Sequence, residues 1–307
     1  MQKQKSNHSI SIAWAIDILA TDKKVRNSAE SLLKVLEKKT ELSVHPLYVV
    51  RLAEQVEPFT HGEGKKVFLN NVGNAIKRWL KGLKVSTKEP QALLQKGVYL
   101  RSDVDALIGH AKKIKADLLL VNTHARKGFS RFWMGSFAET LMHHSTLPVL
   151  FLNPSAKPVQ EIREIIFPTN LSLGAEKSLH LVCSFAKKIG AGVTLYNNVE
   201  YFVATPGLSF TETAVFTDQI AKDVRNRKKS LERQASKFSK AYGIKMKLVV
   251  DESDVRVSDG INSCAQKSPK SMIAMTSQTG PLLSVLVGST TRRVVREAKV
   301  PVLVFRD

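Results

Sequence analysis

The residues able to carry chemistry are few and scattered. Among the eight histidines, His143 and His144 are adjacent, and helix neighbours one apart point in different directions and cannot share a metal. The two cysteines, Cys183 and Cys264, lie far apart and form no Cys-x-x-Cys. Cys183 falls on an apolar helix face and reads as a small core residue. No His-Glu-x-x-His, Gly-x-Ser-x-Gly or Gly-x4-Gly-Lys-Ser/Thr occurs, so the zincin, nucleophile-elbow and P-loop chemistries have no motif to stand on. Gly62-Glu-Gly64 and Gly190-Ala-Gly192 each lack the third glycine of a dinucleotide-binding turn. One segment does combine groups that suit an anion: VNTHARKGFSRFWMGSFAETL, residues 121–141, places His124, Arg126, Lys127 and Arg131 ahead of Gly135-Ser136. These residues form no catalytic set.

The elements that must position this segment follow from a repeat. SIAWAID (11–17) and EIIFPTN (164–170) are apolar runs ending in Asp17 and Asn170, 153 residues apart. Gly135-Ser136 and Gly288-Ser289 keep the same offset, as do Pro148 and Pro301 in LPVLFL and VPVLVF. Between the copies NPSAKPVQ, with two prolines and small polar residues, suits a surface linker. The expected organisation is one domain over 1–153, a linker over 154–160 and a second domain over 161–307.

Within each copy short apolar runs alternate with helical patterns. IAWAI, VHPLYVV, GVYL, DLLLV and PVLFL are the expected strands of the first copy; EIIFP, VTLYNNV, KMKLVV, MIAM and PVLVF those of the second. Near-continuous apolar runs suit strands buried on both faces of a parallel sheet with helical crossovers, so each copy is expected to be a five-stranded α/β layer. A basic amphipathic helix follows the second strand of each. Val72, Ile76, Trp79, Leu80 and Leu83 make one apolar face beside Lys77, Arg78, Lys81 and Lys84; Ile220, Val224, Leu231, Ala235 and Phe238 repeat it beside Arg225, Arg227, Lys228 and Lys229. Crossover packing explains both helices. A second reading makes their cations a surface for a polyanion or nucleic acid.

The composition bounds the rest. At 307 residues, 43% hydrophobic and 24% charged, the chain is long enough for two cores and too apolar for disorder. The formal charge of +20 is shared between the halves, with 25 basic and 13 acidic side chains up to residue 157 and 22 and 14 beyond it. Such a surface attracts polyanions without identifying one. The start, MQKQKSNHSI, carries no signal-peptide pattern and no run approaches a membrane span, so a cytoplasmic protein is expected.

Thr123-His124, Arg126, Gly128, Ser130-Arg131 and Gly135-Ser136, after the DLLLV strand, fall in the order of the phosphate loop of the universal stress protein family. Asp17 at the end of the first strand, the YVV ending the second and the terminal PVLFL complete the match. The chain thus resembles a tandem universal stress protein over nearly its whole length. The resemblance implies two repeated Rossmann-like α/β domains of the adenine nucleotide alpha hydrolase-like type, packed as an intramolecular pseudo-dimer about a pseudo-two-fold axis through their last strands, 149–152 and 302–305. It implies a non-catalytic protein of stress adaptation, and ATP or another adenine nucleotide as ligand.

Carried over from the family, the nucleotide positions are Asp17 and Val49 for adenosine, and Asn122, Ala125, Gly135 and Ser136 for phosphate. Two of the three motif glycines are replaced, by Asn122 and Ala125. In the second copy Thr276 and Thr279 replace glycines and Pro281 lacks an N–H. Asn170 stands for the aspartate, Asn197-Asn198 disturbs the second strand end, and the loop is one residue short before Gly288. Nucleotide is therefore expected in the first domain alone. A purely structural reading stands beside it: Asp17 and Asn170 as caps of the first helices, and the two Gly-Ser pairs opening the last helices with serine as cap. A nucleotide-hydrolysing enzyme is a further alternative, with no metal-holding carboxylate near the loop beyond Asp17.

Overall fold

The computed structural model describes residues 9–20, 22–51, 62–95, 99–123, 136–199, 210–253, 255–277 and 288–306. In the first half, β1 (Ser9–Ala15), α1 (Lys23–Glu37), β2 (Glu41–Arg51), α2 (Gly62–Leu80), β3 (Gln91–Gln95), α3 (Leu100–Lys113), β4 (Leu118–Asn122), α4 (Ser136–His144) and β5 (Val149–Leu152) alternate. The second half repeats the series with β6 (Glu164–Pro168), α5 (Leu173–Ile189), β7 (Gly192–Asn198), α6 (Phe210–Tyr242), β8 (Met246–Asp251), α7 (Val257–Lys267), β9 (Ser271–Ser277), α8 (Ser289–Glu297) and β10 (Val302–Arg306).

All ten strands join one sheet in the order β3-β2-β1-β4-β5-β10-β9-β6-β7-β8. Pairing is parallel within each half, each successive strand being reached through a helical crossover. At the centre β5 and β10 run antiparallel, with Val302 opposite Phe151, Leu303 opposite Leu150 and Val304 opposite Val149. The strand order therefore reads the same from either edge once the halves are exchanged.

Alternate residues of the central strands enter opposite cores, which is why their sequences are apolar without a break. Leu118, Leu120, Leu150 and Leu152 pack with α1, α2, α5 and α6 on one face. Leu119, Val121, Val149 and Phe151 pack with α3, α4, α7 and α8 on the other. Both cores run across the β5–β10 join. In the first, Ile76 of α2 and Leu231, Ala235 and Phe238 of α6 are buried, with Val72, Trp79, Leu80 and Leu83 packed against them. The apolar face read from the first basic helix is thus the packed one, whereas in the second only Leu231, Ala235 and Phe238 are buried and Ile220 and Val224 are not. Cys183 on α5 is fully buried, and burial pushes its thiol up to about 12.

The third strand differs from the expectation. GVYL is not a strand: Tyr99 is the N-cap of α3 and Leu100 its first residue, while residues 97 and 98 lie outside those described. β3 is QALLQ, a sheet edge with no fully buried residue. A half-exposed edge strand carries glutamines that an apolar-run criterion passes over. The second strand of the second half falls where expected, and β7 continues through Asn197 and Asn198, which pair with Val250 and Asp251 of β8. The pairing with β6 stops at Tyr196, so the two asparagines are held by β8 alone.

The short connection between β5 and β6 is pinned to both halves. Asn153 Nδ2 donates to Ala298 O at 3.3 Å, Val159 N to Ser31 Oγ at 3.0 Å, and Lys39 Nζ to the carbonyl of the buried Ile162 at 2.8 Å. Gly190-Ala-Gly192 has a structural purpose. Gly190 ends α5 in the left-handed conformation at φ 61°. A Cβ on Gly192 would sit 2.9 Å from Lys245 O, where β7 meets the chain entering β8.

Candidate functional site

In each half the crossovers leave β1 (or β6) toward one face and β4 (or β9) toward the other. The strand order reverses there, opening a crevice at the carboxyl ends where ligands of open α/β sheets sit. Asp17 follows β1, Val49 lies near the end of β2, and Asn122 ends β4. Ile16 N donates to Leu47 O at 3.0 Å, so the register places Asp17 and Val49 at the same rim. Trp14 pairs with Leu120, which carries Asn122 level with Ile16. The fold thus brings these three positions to adjacent strand ends. Ser136 opens α4, the helix that follows β4. Ala125 and Gly135, with His124, Arg126, Lys127 and Arg131, lie outside the described residues.

Each of the three is held locally. Asp17 Oδ1 accepts from Leu19 N at 3.0 Å, a turn closed on its own backbone. Asn122 is nearly buried and its Nδ2 donates to Ser28 Oγ on α1 at 2.8 Å, tying the end of β4 to the helix across the crevice. Val49 is half-buried against the α3–α4 core. Beside them Thr123 N donates to Leu152 O at 2.7 Å and fixes the chain as it leaves β4.

The helix-capping expectations are corrected. Asp22, not Asp17, caps α1, its Oδ1 accepting from Lys24 N at 2.9 Å. Ser172, not Asn170, caps α5, its Oγ accepting from Ala175 N at 3.2 Å. Asp17 and Asn170 instead make the same turn: Asn170 Oδ1 accepts from Ser172 N at 3.1 Å, as Asp17 does from Leu19 N. A turn two residues long precedes the helix proper, and a sequence repeat alone cannot separate the two roles. Nor does serine cap α8. Gly288 occupies the N-cap with no side-chain bond, and Ser289 is the first helical residue. Ser136 likewise starts α4 from inside.

The rim of the second half is built differently. Register partners of Ile12 and Ile165, which are 153 apart, are Leu118 and Met272, which are 154 apart, whereas α4 and α8 start 153 apart. The loop between β9 and α8 is accordingly one residue shorter than its counterpart. Asn197 Nδ2 donates to Thr169 O at 2.7 Å, bridging the end of β7 to the chain leaving β6. In the first half Tyr48 takes that place and packs into the α1–α2 core. A second cluster lies toward the edge. The fully buried Tyr196 donates its hydroxyl to Asp251 Oδ2 at 2.5 Å, and Asp251 Oδ1 accepts from Ser253 N at 3.0 Å. Burial and the neighbouring carboxylate push the Tyr196 hydroxyl up; burial alone would raise Asp251, yet its bonds from Ser253 and Tyr196 hold it below the ordinary carboxylate value. Gly260 of α7 is pressed against this pair. Sequence reading missed the cluster because none of its members forms a motif.

Among the described residues no three His, Cys, Asp or Glu side chains gather to hold a metal, and no helix is long and apolar enough to cross a membrane.

Two solved proteins matched over nearly their whole length share this fold. A universal stress protein from Archaeoglobus fulgidus DSM 4304 is 18% identical, with 96% of each chain covered and a TM-score of 0.55. A functionally unknown protein from Pseudomonas aeruginosa PAO1 is 15% identical, with 96% of this chain and 92% of that chain covered and a TM-score of 0.57. The universal stress protein from Archaeoglobus fulgidus solved in complex with dAMP is 16% identical, with 47% of this chain and 96% of that chain covered and a TM-score of 0.35. No curated protein matches the chain. The model of the universal stress protein family matches residues 21–153 and again residues 161–306, and the chain belongs to that family, with two copies of its fold in one polypeptide.

Proposed function

We propose that this chain is a non-catalytic regulator of stress adaptation, cytoplasmic and acting through other macromolecules, whose first domain takes an adenine nucleotide, ATP, and whose second takes none. Its domains span 1–153 and 161–307, joined by 154–160 and packed as an intramolecular pseudo-dimer. Asp17 and Val49 serve the adenosine, while Asn122, Ala125, Gly135 and Ser136 serve the phosphates, with the N-terminus of α4 behind them.

The observation that carries the reading is the contrast between the rims. In the second half the Asn197 amide bridges the strand ends through Thr169 O. The first half has Asp17 at its rim, and Tyr48 turns inward. A carboxylate suits a ribose hydroxyl, which donates to it, whereas Asn170 holds a neutral amide in the same turn and the neighbouring Asn197 bridge closes that edge on itself.

Isothermal titration of ATP with Mg²⁺ tests this. One site per chain is expected, weakened about tenfold or more by Asp17→Ala through loss of a charge-assisted bond and unchanged by Asn170→Ala. Two sites, no heat at millimolar ATP, or equal loss in both variants would overturn the nucleotide assignment. Steady release of inorganic phosphate from bound ATP would overturn the non-catalytic one.

A further inference from the structure

The crossover helix of the second half does more than cross over. α6 runs 33 residues, yet between 219 and 242 its buried residues are Leu231, Ala235 and Phe238, all among its last twelve. From 219 to 230 no side chain is buried. Eight of the residues from 219 to 242 are lysine or arginine and two are acidic. Of the two acids, Asp223 is tied to Arg227 at 2.7 Å.

The cations are ordered. At 100° per residue Lys222, Arg225, Lys229, Arg233, Lys237 and Lys240 fall within roughly 120° of arc, directly opposite the buried Leu231, Ala235 and Phe238, along roughly 27 Å of helix. All six are exposed. Lys237 is paired with Glu176, and Arg225 Nε donates to the Ala221 carbonyl at 3.2 Å. α2 holds the equivalent place in the first half and lacks this order. Its Lys65, Lys66, Lys77 and Arg78 spread over more than half of the circumference; Lys66 pairs with Glu63 and Lys77 with Glu89. Keeping a crossover helix in solution therefore does not require a stripe.

We propose that the exposed face of α6 binds the phosphate backbone of a nucleic acid, without preference for base sequence. Cations repeating every three or four residues offer one positive charge per roughly 5 Å of a straight rod, which suits a linear row of phosphates rather than one compact anion. Between 219 and 242 the exposed arc carries no large apolar side chain to enter a lipid surface, since the apolar face of that stretch is spent on the sheet. Lysine and arginine on a rigid helix bind phosphates as point charges and forks, releasing counterions and reading no bases.

Fluorescence anisotropy with a labelled 20-base-pair duplex tests it on the full chain. Four phosphate contacts give a slope of about −3.6 in log K against log salt, so affinity falls about 150-fold between 50 and 200 mM salt. Replacing Lys222, Arg225, Lys229 and Arg233 together by glutamine lowers affinity at 50 mM about tenfold or more and flattens the slope. Replacing Lys65, Lys66, Lys77 and Arg78 by glutamine removes the same net charge and leaves both nearly unchanged. The double variant Lys229→Gln with Arg233→Gln gives about half the change in slope, and serves if the quadruple variant melts early. Equal losses from the α2 and α6 variants would reduce the effect to net charge and overturn the proposal. So would absence of binding at 50 mM salt. Displacement of the duplex by polyglutamate at matched charge would reassign the face to an acidic protein.

Discussion

Two glycines in the middle of helices make opposite forecasts for the same substitution. Gly109 lies exposed in α3 and a Cβ built there meets nothing within 4 Å. Gly260 lies buried in α7, and a Cβ there would land inside contact distance of Tyr196 Oη and 2.7 Å from Asp251 Oδ2. Both residues gain helix propensity on replacement by alanine, worth about 1 kcal/mol each. At Gly109 nothing opposes that gain, so Gly109→Ala stabilises by about 0.5–1 kcal/mol. At Gly260 the gain is outweighed. Overpacking costs about 1–3 kcal/mol, and pushing Tyr196 away from Asp251 forfeits a hydrogen bond to a charged group worth about 1.5–3 kcal/mol. Net destabilisation of roughly 2–4 kcal/mol follows. Urea unfolding followed by circular dichroism measures both variants, with the slope m unchanged if only stability has moved. A cycle with Tyr196→Phe isolates the cause. Without the hydroxyl, the first obstacle to the new methyl is gone, and Gly260→Ala costs less by about 1 kcal/mol or more. If the two changes add to within about 0.5 kcal/mol, or if Gly260→Ala is neutral, the contact between Gly260 and the tyrosine–carboxylate pair is not what fixes glycine there.

Three further outcomes follow from local surroundings. Burial, then Lys88 and His110, lower the His45 pKa, while burial and Lys113 lower that of His110; the folded state therefore binds fewer protons than the unfolded one, and stability falls as pH drops through the unfolded value near 6.5. Urea midpoints at pH 7.5 and 5.5 should differ in that direction, and His45→Gln with His110→Gln should shrink the difference. Glu161, hydrogen-bonded first by Arg163 and then by Lys270, is held at about 2; its carboxyl carbon shift should titrate there by NMR, and Arg163→Ala should return it toward the ordinary value. Cys183 and Cys264 both carry thiols raised by burial, so a disulfide reagent at neutral pH should modify Cys183 only as fast as the protein unfolds, and Cys264 more slowly than an exposed thiol.

Most of the scaffold was legible because the central strands are buried on both faces and their apolar runs have no other use. Leu118 to Val121 and Val149 to Leu152 announce themselves in this way. β3 was missed since an edge strand needs no such run, and GVYL attracted the assignment with residues that instead lead into α3. At the site the strand-end residues lie where the sequence puts them, but Asp17 and Asn170 close turns rather than cap helices, the caps being Asp22 and Ser172 a few residues on, a distinction that periodicity does not resolve. The Asn197 bridge and the Tyr196–Asp251–Gly260 contact depend on which side chains meet across strands and helices. That information resides in register, and no single segment contains it.

The antiparallel seam between β5 and β10 has a consequence in mass action. Both strands belong to one polypeptide, so closing the seam is a unimolecular event. Its strength is set by an effective concentration fixed by the tether and does not weaken on dilution. Melting should thus be independent of protein concentration over any range. Cleaving the backbone within 154–160 would turn the same seam into a bimolecular contact that dissociates as the protein is diluted, leaving two apolar strand edges to find other partners.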